Sequence, residues 1–403
     1  MTKLPIICLA LARWDGPYSS TAFSLAKELA YSQPVYYLDN PFTWKDLVTG
    51  WRTEQINRRK NALIFRKKIY TPLPDKTKCL TVVTPPPVWP INWLPPGRIY
   101  NTFARRNNRR TIHTIRRILR ENNLSKYILL NVFNPFVGFD LPEDLRPALS
   151  VYYSVDAIAE SVYIQKHGPT LEDRMLREAD ICLTTSSELL RTCTAKTDKP
   201  VYLLPNGADV QLFRQAVEKK LPRPAELEGE TRPVIIYTGA IGLRNDFELM
   251  KKIAEVHHDK LLLLVGPITE TYQEVGLRQM KNVRFTGSKP LEELPGYLQY
   301  ADCAIIPFRC NALTRSIYPL KLHEYLAAGK AVVSTPFSPD IEAFGRYIRL
   351  AGDHTAFVDA IEEALKDHSP ENVKKRQTIA TENDWSARVE ALREIMADHL
   401  RIS

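Results

Sequence analysis

Residues 301–336 read ADCAIIPFRCNALTRSIYPLKLHEYLAAGKAVVSTP. Ala301 and Asp302 precede an apolar run, Cys303 to Phe308, of the length and composition of a buried strand. A polar loop leads to a helix that opens at Pro319 and closes at Gly329, the expected order for a proline that needs no amide partner and a glycine that stops the turn. Ala331 to Pro336 is a second buried strand. Two strands apolar on both faces, joined through a helix, form the repeating unit of a parallel α/β sheet.

Working outward, the same alternation runs through the chain. In the first half the strand-like runs are Pro5 to Ala12, Val35 to Asp39, Ala62 to Tyr70, Leu80 to Thr84, Lys126 to Phe133, Leu149 to Asp156, Ile181 to Ser186 and Val201 to Pro205. In the second they are Val234 to Ala240, Leu261 to Gly266, Val283 to Gly287, Cys303 to Phe308, Ala331 to Pro336 and Tyr347 to Leu350. Asn206-Gly207 is a turn, and the charged, Pro-bearing stretch Glu218 to Arg232 reads as a linker. Two doubly wound domains fit this count.

The 403 residues, 44% of them apolar, suffice for two sizeable cores. No apolar run approaches the roughly 20 residues of a membrane span. The first run meets Arg13, Trp14 and Asp15 instead of a small-residue cleavage site, so it reads as a strand and export is not expected. Cys8, Cys79, Cys182, Cys193, Cys303 and Cys310 never form Cys-x-x-Cys, which points to a reducing cytoplasm and no structural zinc. No histidine has zinc-ligand spacing and no Asp-x-Asp occurs, so no metal is expected.

The net charge of +9 is uneven: Trp51 to Arg120 holds 17 Lys or Arg against Glu54 and Asp75, a balance of +15, and the remainder is at −6. Within it, Thr71 to Gly97 carries eight of the 29 prolines, interleaved with Trp89 and Trp93. Such a segment is a stiff loop, read either as a surface crossover or as an acceptor-side wall or membrane-touching lip. In Ile99 to Arg120, Ile112, Ile115, Ile118 and Leu119 form a helical stripe, and Arg105, Arg106, Arg109, Arg110, Arg116 and Arg117 fill other faces. Three readings compete for these arginines: a solvated face, attraction to an anionic membrane, or nucleic-acid binding. The last lacks any aromatic-basic motif.

Stretch 301–336 resembles the carboxyl-terminal domain of GT-B glycosyltransferases, particularly group-1-like enzymes of bacterial exopolysaccharide and teichuronic acid synthesis. The resemblance continues in Leu204-Pro205-Asn206-Gly207-Ala208-Asp209 with Phe213, in Tyr237-Thr238-Gly239-Ala240, in Leu264-Val265-Gly266-Pro267 and in Val283-Arg284-Phe285-Thr286-Gly287. It covers about Ile181 to Leu365 well and the first half in outline. It implies two Rossmann-like domains facing a central cleft: 1–205 for the acceptor, 206–370 for the nucleotide sugar, and 371–403 returning to the first domain through a helix beginning near Trp385.

Lys321 stands in the first turn of its helix, where the dipole disfavours a cation by about 0.3–1 kcal/mol and an anion would reverse the balance. Lys321, Glu324, Tyr325 and Ala328 share one stripe. Residues alone allow an ordinary surface ion pair, whereas the resemblance implies a phosphate-binding Lys321 and a ribose-binding Glu324. Gly239, Gly242 and Arg244 form a short loop that either cradles a diphosphate or simply turns the chain. Pro267 and Tyr318 complete the expected donor-binding set. Group-1 retaining enzymes carry a glutamate eight residues before the one matched by Glu324; here stands Ser316, and the pattern resembles an inverting branch such as the xanthan glucuronosyltransferase.

An inverting transferase needs a base at the carboxyl end of a first-domain strand. Asp156 is the first candidate, with capping of a helix Ala157 to Gln165 as its alternative role; Asp15, in a Trp-Asp-Gly-Pro turn, is the second. The expectation is a metal-independent, cofactor-free hexosyltransferase that moves a sugar, from a UDP-sugar first among donors, to a lipid-linked saccharide at the inner membrane face, without nucleic acid. A nucleotide-sugar epimerase and a silent scaffold in capsule assembly are the alternatives.

Overall fold

The computed structural model describes residues 4–16, 20–73, 79–160, 164–269 and 276–402. The chain divides into two compact units, 1–205 with 389–403, and 206–388. The division falls between Pro205 and Asn206. The chain re-enters the first unit at Val389, so residues 371–388, expected with the returning segment, belong to unit 2.

Unit 1 is built on eight strands: β1 (Ile6–Ala10), β2 (Val35–Leu38), β3 (Tyr70–Pro72), β4 (Leu80–Val83), β5 (Ile128–Val132), β6 (Leu149–Ser154), β7 (Ile181–Thr184) and β8 (Val201–Leu203). Their order is β3-β4-β2-β1-β5-β6-β7-β8, parallel except for the β3–β4 pair. The reversal of direction along the sheet lies at β1, between β2 and β5, and the carboxyl ends there are where open α/β sheets take ligands. β1 and β5 are buried on both faces, which explains the unbroken apolar sequence of β1; the one polar residue of β5, Asn131, donates its amide to the carbonyls of Asn134 and Val137 at 2.9 and 3.0 Å.

The expected strand Ala62 to Tyr70 is a helix, Glu54–Phe65, followed by β3. Ile56, Arg59, Ala62 and Leu63 recur at helical spacing and are buried together, and Arg66 ends the helix in the left-handed region at φ 54°. The short apolar run Ala62 to Phe65 carries either periodicity, and packing selects the helix. Of the expected helix Ala157 to Gln165, Ile158–Glu160 form a 3₁₀ turn and residues 161–163 lie outside the described residues; the helix Gly168–Glu178 follows. The Pro-rich segment is not loop throughout, since β4 sits inside the sheet; Pro85-Pro86-Pro87 begin where pairing stops.

Unit 2 holds β9 (Val234–Thr238), β10 (Leu261–Val265), β11 (Val283–Gly287), β12 (Cys303–Ile306), β13 (Ala331–Ser334) and β14 (Arg349–Leu350), all parallel in the order β11-β10-β9-β12-β13-β14. The quoted stretch supplies β12, the helix Leu320–Ala327 and β13. The linker Glu218 to Arg232 is anchored to this unit: Arg284 bonds the Glu226 carbonyl, and Lys289 and Tyr297 hold the Glu226 carboxylate. The helix Trp385–Ile402 starts in unit 2 and ends in unit 1, where His399 meets the Tyr202 hydroxyl at 2.8 Å.

Candidate functional site

The site of unit 2 grows from a crossing of two backbones at the ends of β9 and β10. Gly239 has φ 117° and Gly266 φ 152°, and a Cβ on Gly266 would lie 2.0 Å from the Gly239 carbonyl oxygen. Only glycine permits this approach. Beyond it, Gly239 N donates to Val265 O at 2.8 Å and Ile241 N to Pro267 O at 2.9 Å, so Pro267 steadies the Gly239 to Gly242 loop through its carbonyl. Gly242 N donates to Asn245 Oδ1 at 2.9 Å. The Arg244 carbonyl accepts from Arg309 N at 2.9 Å, which pins the backbone beneath an exposed Arg244 side chain.

Lys321 reaches this loop from the first turn of its helix. A Cβ on Gly239 would sit 3.4 Å from both Cε and Nζ of Lys321. The ammonium lies 4.8 Å from the Phe308 ring centroid and 5.3 Å from that of Tyr237, and has no ion-pair partner among the described residues. Tyr237 is fixed by its hydroxyl, which donates to Ala240 O at 2.9 Å. Tyr325, one turn beyond Lys321, is fully buried and its hydroxyl accepts from Thr238 N at 2.7 Å, so it locks the helix to the end of β9. Glu324 is half-buried; burial pushes its carboxyl up to about 7, against the pull of Lys321 and with a smaller push from Asp209. Near neutrality it is poised between acceptor and donor of hydrogen bonds.

Tyr318 does not join this cluster through its hydroxyl, which is turned onto His323 Nε2 at 2.9 Å and Asn383 Oδ1 at 3.3 Å. Burial pushes that phenol to about 12 and drops the fully buried His323 to about 3. Ser316, where a first glutamate would stand, is buried with its hydroxyl on Leu313 O at 3.2 Å.

In unit 1, Asp156 follows β6 and is half-buried. Asp15 is engaged twice over: both its oxygens meet Arg59 at 2.7 Å, and Arg58 approaches at 3.3 Å. Arg59 is itself buried and also grips Asp39 at 2.8 Å, whose carboxyl burial raises to about 6 although Arg59 opposes the rise. One of the 17 bases of the cationic segment is therefore an internal clamp, a role its sequence neighbours did not suggest.

Trp89 is sutured to the helix Arg98–Glu121: its N–H donates to Asn107 Oδ1 at 2.9 Å and its carbonyl accepts from Asn107 Nδ2 at 3.0 Å. Trp89 and Trp93 are 42% and 73% exposed. On the same helix Arg105, Arg106, Arg109 and Arg110 line a groove of about 770 Å³ with Arg66, Pro86 and His113. Only a 4.0 Å contact from Arg105 to Asp140 offsets their charge among the described ion pairs. Burial lowers the Arg110 pKa, and repulsion from Arg66 and Arg106 lowers it further. No group of three or more His, Cys, Asp or Glu suited to a metal occurs among the described residues, and no described helix is long and apolar enough to cross a membrane.

Comparison with known proteins bears on both units. Residues 232–367 match the profile of the family "Glycosyl transferases group 1". Over 228 residues the chain is 32% identical to a Bacillus subtilis protein named as the teichuronic acid biosynthesis glycosyltransferase TuaH; the alignment covers 53% of this chain and 56% of that relative's length. Among solved structures, sucrose-phosphate synthase from Thermosynechococcus elongatus superposes over the full length of both chains with a TM-score of 0.68 at 15% identity. Escherichia coli trehalose-6-phosphate synthase bound with UDP-2-fluoro glucose covers 99% of each chain with a TM-score of 0.65 at 12% identity. At those identities the structural likeness speaks for the fold. The chain thus has the GT-B fold, and residues 232–367 are a group 1 glycosyltransferase domain.

Proposed function

We propose that the chain transfers a sugar from a nucleoside diphosphate, UDP first among the candidates, to a lipid-linked saccharide in cell-surface polysaccharide synthesis. The observation that carries this reading is Lys321, a cation in a helix's first turn, beside the Gly239 backbone and over two aromatic rings, with no ion-pair partner among the described residues. A diphosphate supplies the missing anion and turns the helix dipole from a cost into a gain. Glu324, one turn on, is suited to the ribose hydroxyls. The name of the Bacillus subtilis relative supports a polymer of the cell surface as the destination.

In this reading the acceptor hydroxyl attacks the anomeric carbon as the bond from that carbon to the diphosphate oxygen breaks. The electron pair leaves with the diphosphate, whose charge Lys321 and Arg244 stabilise without a metal. Asp156 takes the hydroxyl proton. A single displacement inverts the anomeric centre, in keeping with Ser316 in place of a first glutamate. The protein works at the cytoplasmic face of the membrane, drawn there by Arg105, Arg106, Arg109 and Arg110 and by the exposed indoles.

Asp156→Asn tests the chemistry: transfer falls by about a hundredfold or more, while donor affinity and melting temperature stay at wild-type values. An Asn variant of unchanged rate overturns the assignment of the base. A wild-type protein that releases no nucleotide from UDP-, GDP- or dTDP-sugars overturns the transferase reading itself.

A further inference from the structure

Lys321 can favour one ligand atom only if the helix that carries it is held still, because a small misplacement of a charged group is costly. That helix, Leu320–Ala327, starts after Pro319 with no side chain capping its amides. Its far end is tied to the helix Pro370–Thr381: Gln377 Nε2 donates to Ala327 O at 3.3 Å, and Arg376 Nη1 to Gly329 O at 3.0 Å. The near end is held from behind. His323 stands two residues past Lys321, about 200° further round the axis at 3.6 residues per turn, and is fully buried.

His323 Nε2 meets the Tyr318 hydroxyl at 2.9 Å, and that hydroxyl reaches Asn383 Oδ1 at 3.3 Å. Burial keeps the imidazole neutral. With the ring proton on Nε2, His323 donates to the Tyr318 oxygen and Tyr318 donates to Asn383, so the three groups pair head to tail. Arg388 Nη2 also donates to Asn383 Oδ1 and stands 3.5 Å from the Tyr318 oxygen. The rings of Tyr318 and His323 stack with centroids 5.4 Å apart, and Phe344 meets His323 edge-on at 5.2 Å. Asn383 is a fixed anchor: its amide donates to Ile379 O at 2.8 Å and its carbonyl accepts from Ala208 N at 3.1 Å. Apolar packing would bury this side of the helix equally well, whereas a directed chain of hydrogen bonds specifies one placement of it.

We propose that Tyr318 is a positioning residue for the donor diphosphate: through its hydroxyl it locks the start of the Lys321 helix to Asn383, and so sets where the ammonium stands. The proposal rests on the diphosphate site of the preceding reading and names the residue that aims it.

Equilibrium titration of the full-length protein with UDP and with uridine tests it, with GDP and guanosine alongside. The ratio of diphosphate to nucleoside affinity reports the phosphate contacts alone. Tyr318→Phe keeps the ring and removes the hydroxyl; it lowers that ratio by about three- to tenfold and leaves nucleoside affinity at the wild-type value. Asn383→Ala, 65 residues away in the chain, has the same effect, and carries the comparison should Tyr318→Phe fail to fold. On a Lys321→Ala background neither substitution lowers the ratio further, because the group being aimed is gone. A network that served stability alone would lower the melting temperature without separating diphosphate from nucleoside. A folded Tyr318→Phe variant with the wild-type ratio, or an effect that persists undiminished on the Lys321→Ala background, overturns the proposal. Wild-type protein that binds UDP and GDP no more tightly than their nucleosides overturns the diphosphate site itself, and the positioning role with it. A wild type that prefers the diphosphate, with a Tyr318→Phe variant that keeps the whole preference, loses only the positioning role.

Discussion

In unit 2 the Lys321 ammonium, which has no ion-pair partner among the described residues, is held by two rings and a glycine at the end of β9. In unit 1 a row of arginines lines an open groove, and Arg105, Arg106 and Arg109 are exposed. The first arrangement is set by backbone: two glycines at positive φ, a helix start and a strand end fix where one ammonium can be. The second is set by charge density on one helix and has no comparably fixed geometry. A group held by backbone can select one ligand atom, whereas a row of exposed charges attracts a surface. The same contrast separates the donor and membrane roles proposed for the two units.

Glycine substitutions break the comparison most sharply. Gly266→Ala pushes a Cβ to 2.0 Å from the Gly239 carbonyl oxygen, so denaturant unfolding should show a loss of more than about 3 kcal/mol and failure of nucleotide binding. Gly97→Ala, at φ 147° in unit 1 with nothing within 4 Å, meets only the backbone preference and loses roughly 1–3 kcal/mol. Equal losses at the two sites would mean that the crossing of β9 and β10 relaxes freely, and that the Gly239 to Gly242 loop is not held as described.

The arginine groove gives the next effect in size. Each Lys or Arg near an anionic surface contributes about 1 kcal/mol, so replacing Arg105, Arg106, Arg109 and Arg110 by Gln should lower partition onto anionic vesicles by about a hundredfold or more. The attraction decays over about 8 Å at physiological salt, so raising the salt should have the same direction of effect on the wild type. Wild-type protein that stays free of anionic vesicles at low salt would leave the arginines as a solvated face.

How much of this could be read from sequence follows the same division. The strands of unit 2, the helix carrying Lys321 and the glycine loop were all legible, because buried parallel strands are continuous apolar runs and their end residues recur at fixed offsets. The anchoring of Tyr325 on Thr238 was not, although Tyr325 lay on the noted stripe; which face of a short helix meets a strand end depends on packing. In unit 1 the helical reading of Ala62 to Phe65 needed Ile56 and Arg59, and a buried arginine disguises an apolar stripe. Arg59 is neutralised by Asp15 and Asp39, which lie 44 and 20 residues away in the chain, so no local pattern marks it as internal.

The central claim is that Lys321 binds and stabilises a diphosphate, and steady-state release of nucleotide from the preferred nucleotide sugar measures it directly. With Lys321→Ala, turnover should fall by about tenfold or more while circular dichroism and melting temperature stay at wild-type values, because a charge at the leaving group is removed and no packed core atom is lost. A folded Lys321→Ala variant that turns over at the wild-type rate would contradict the account.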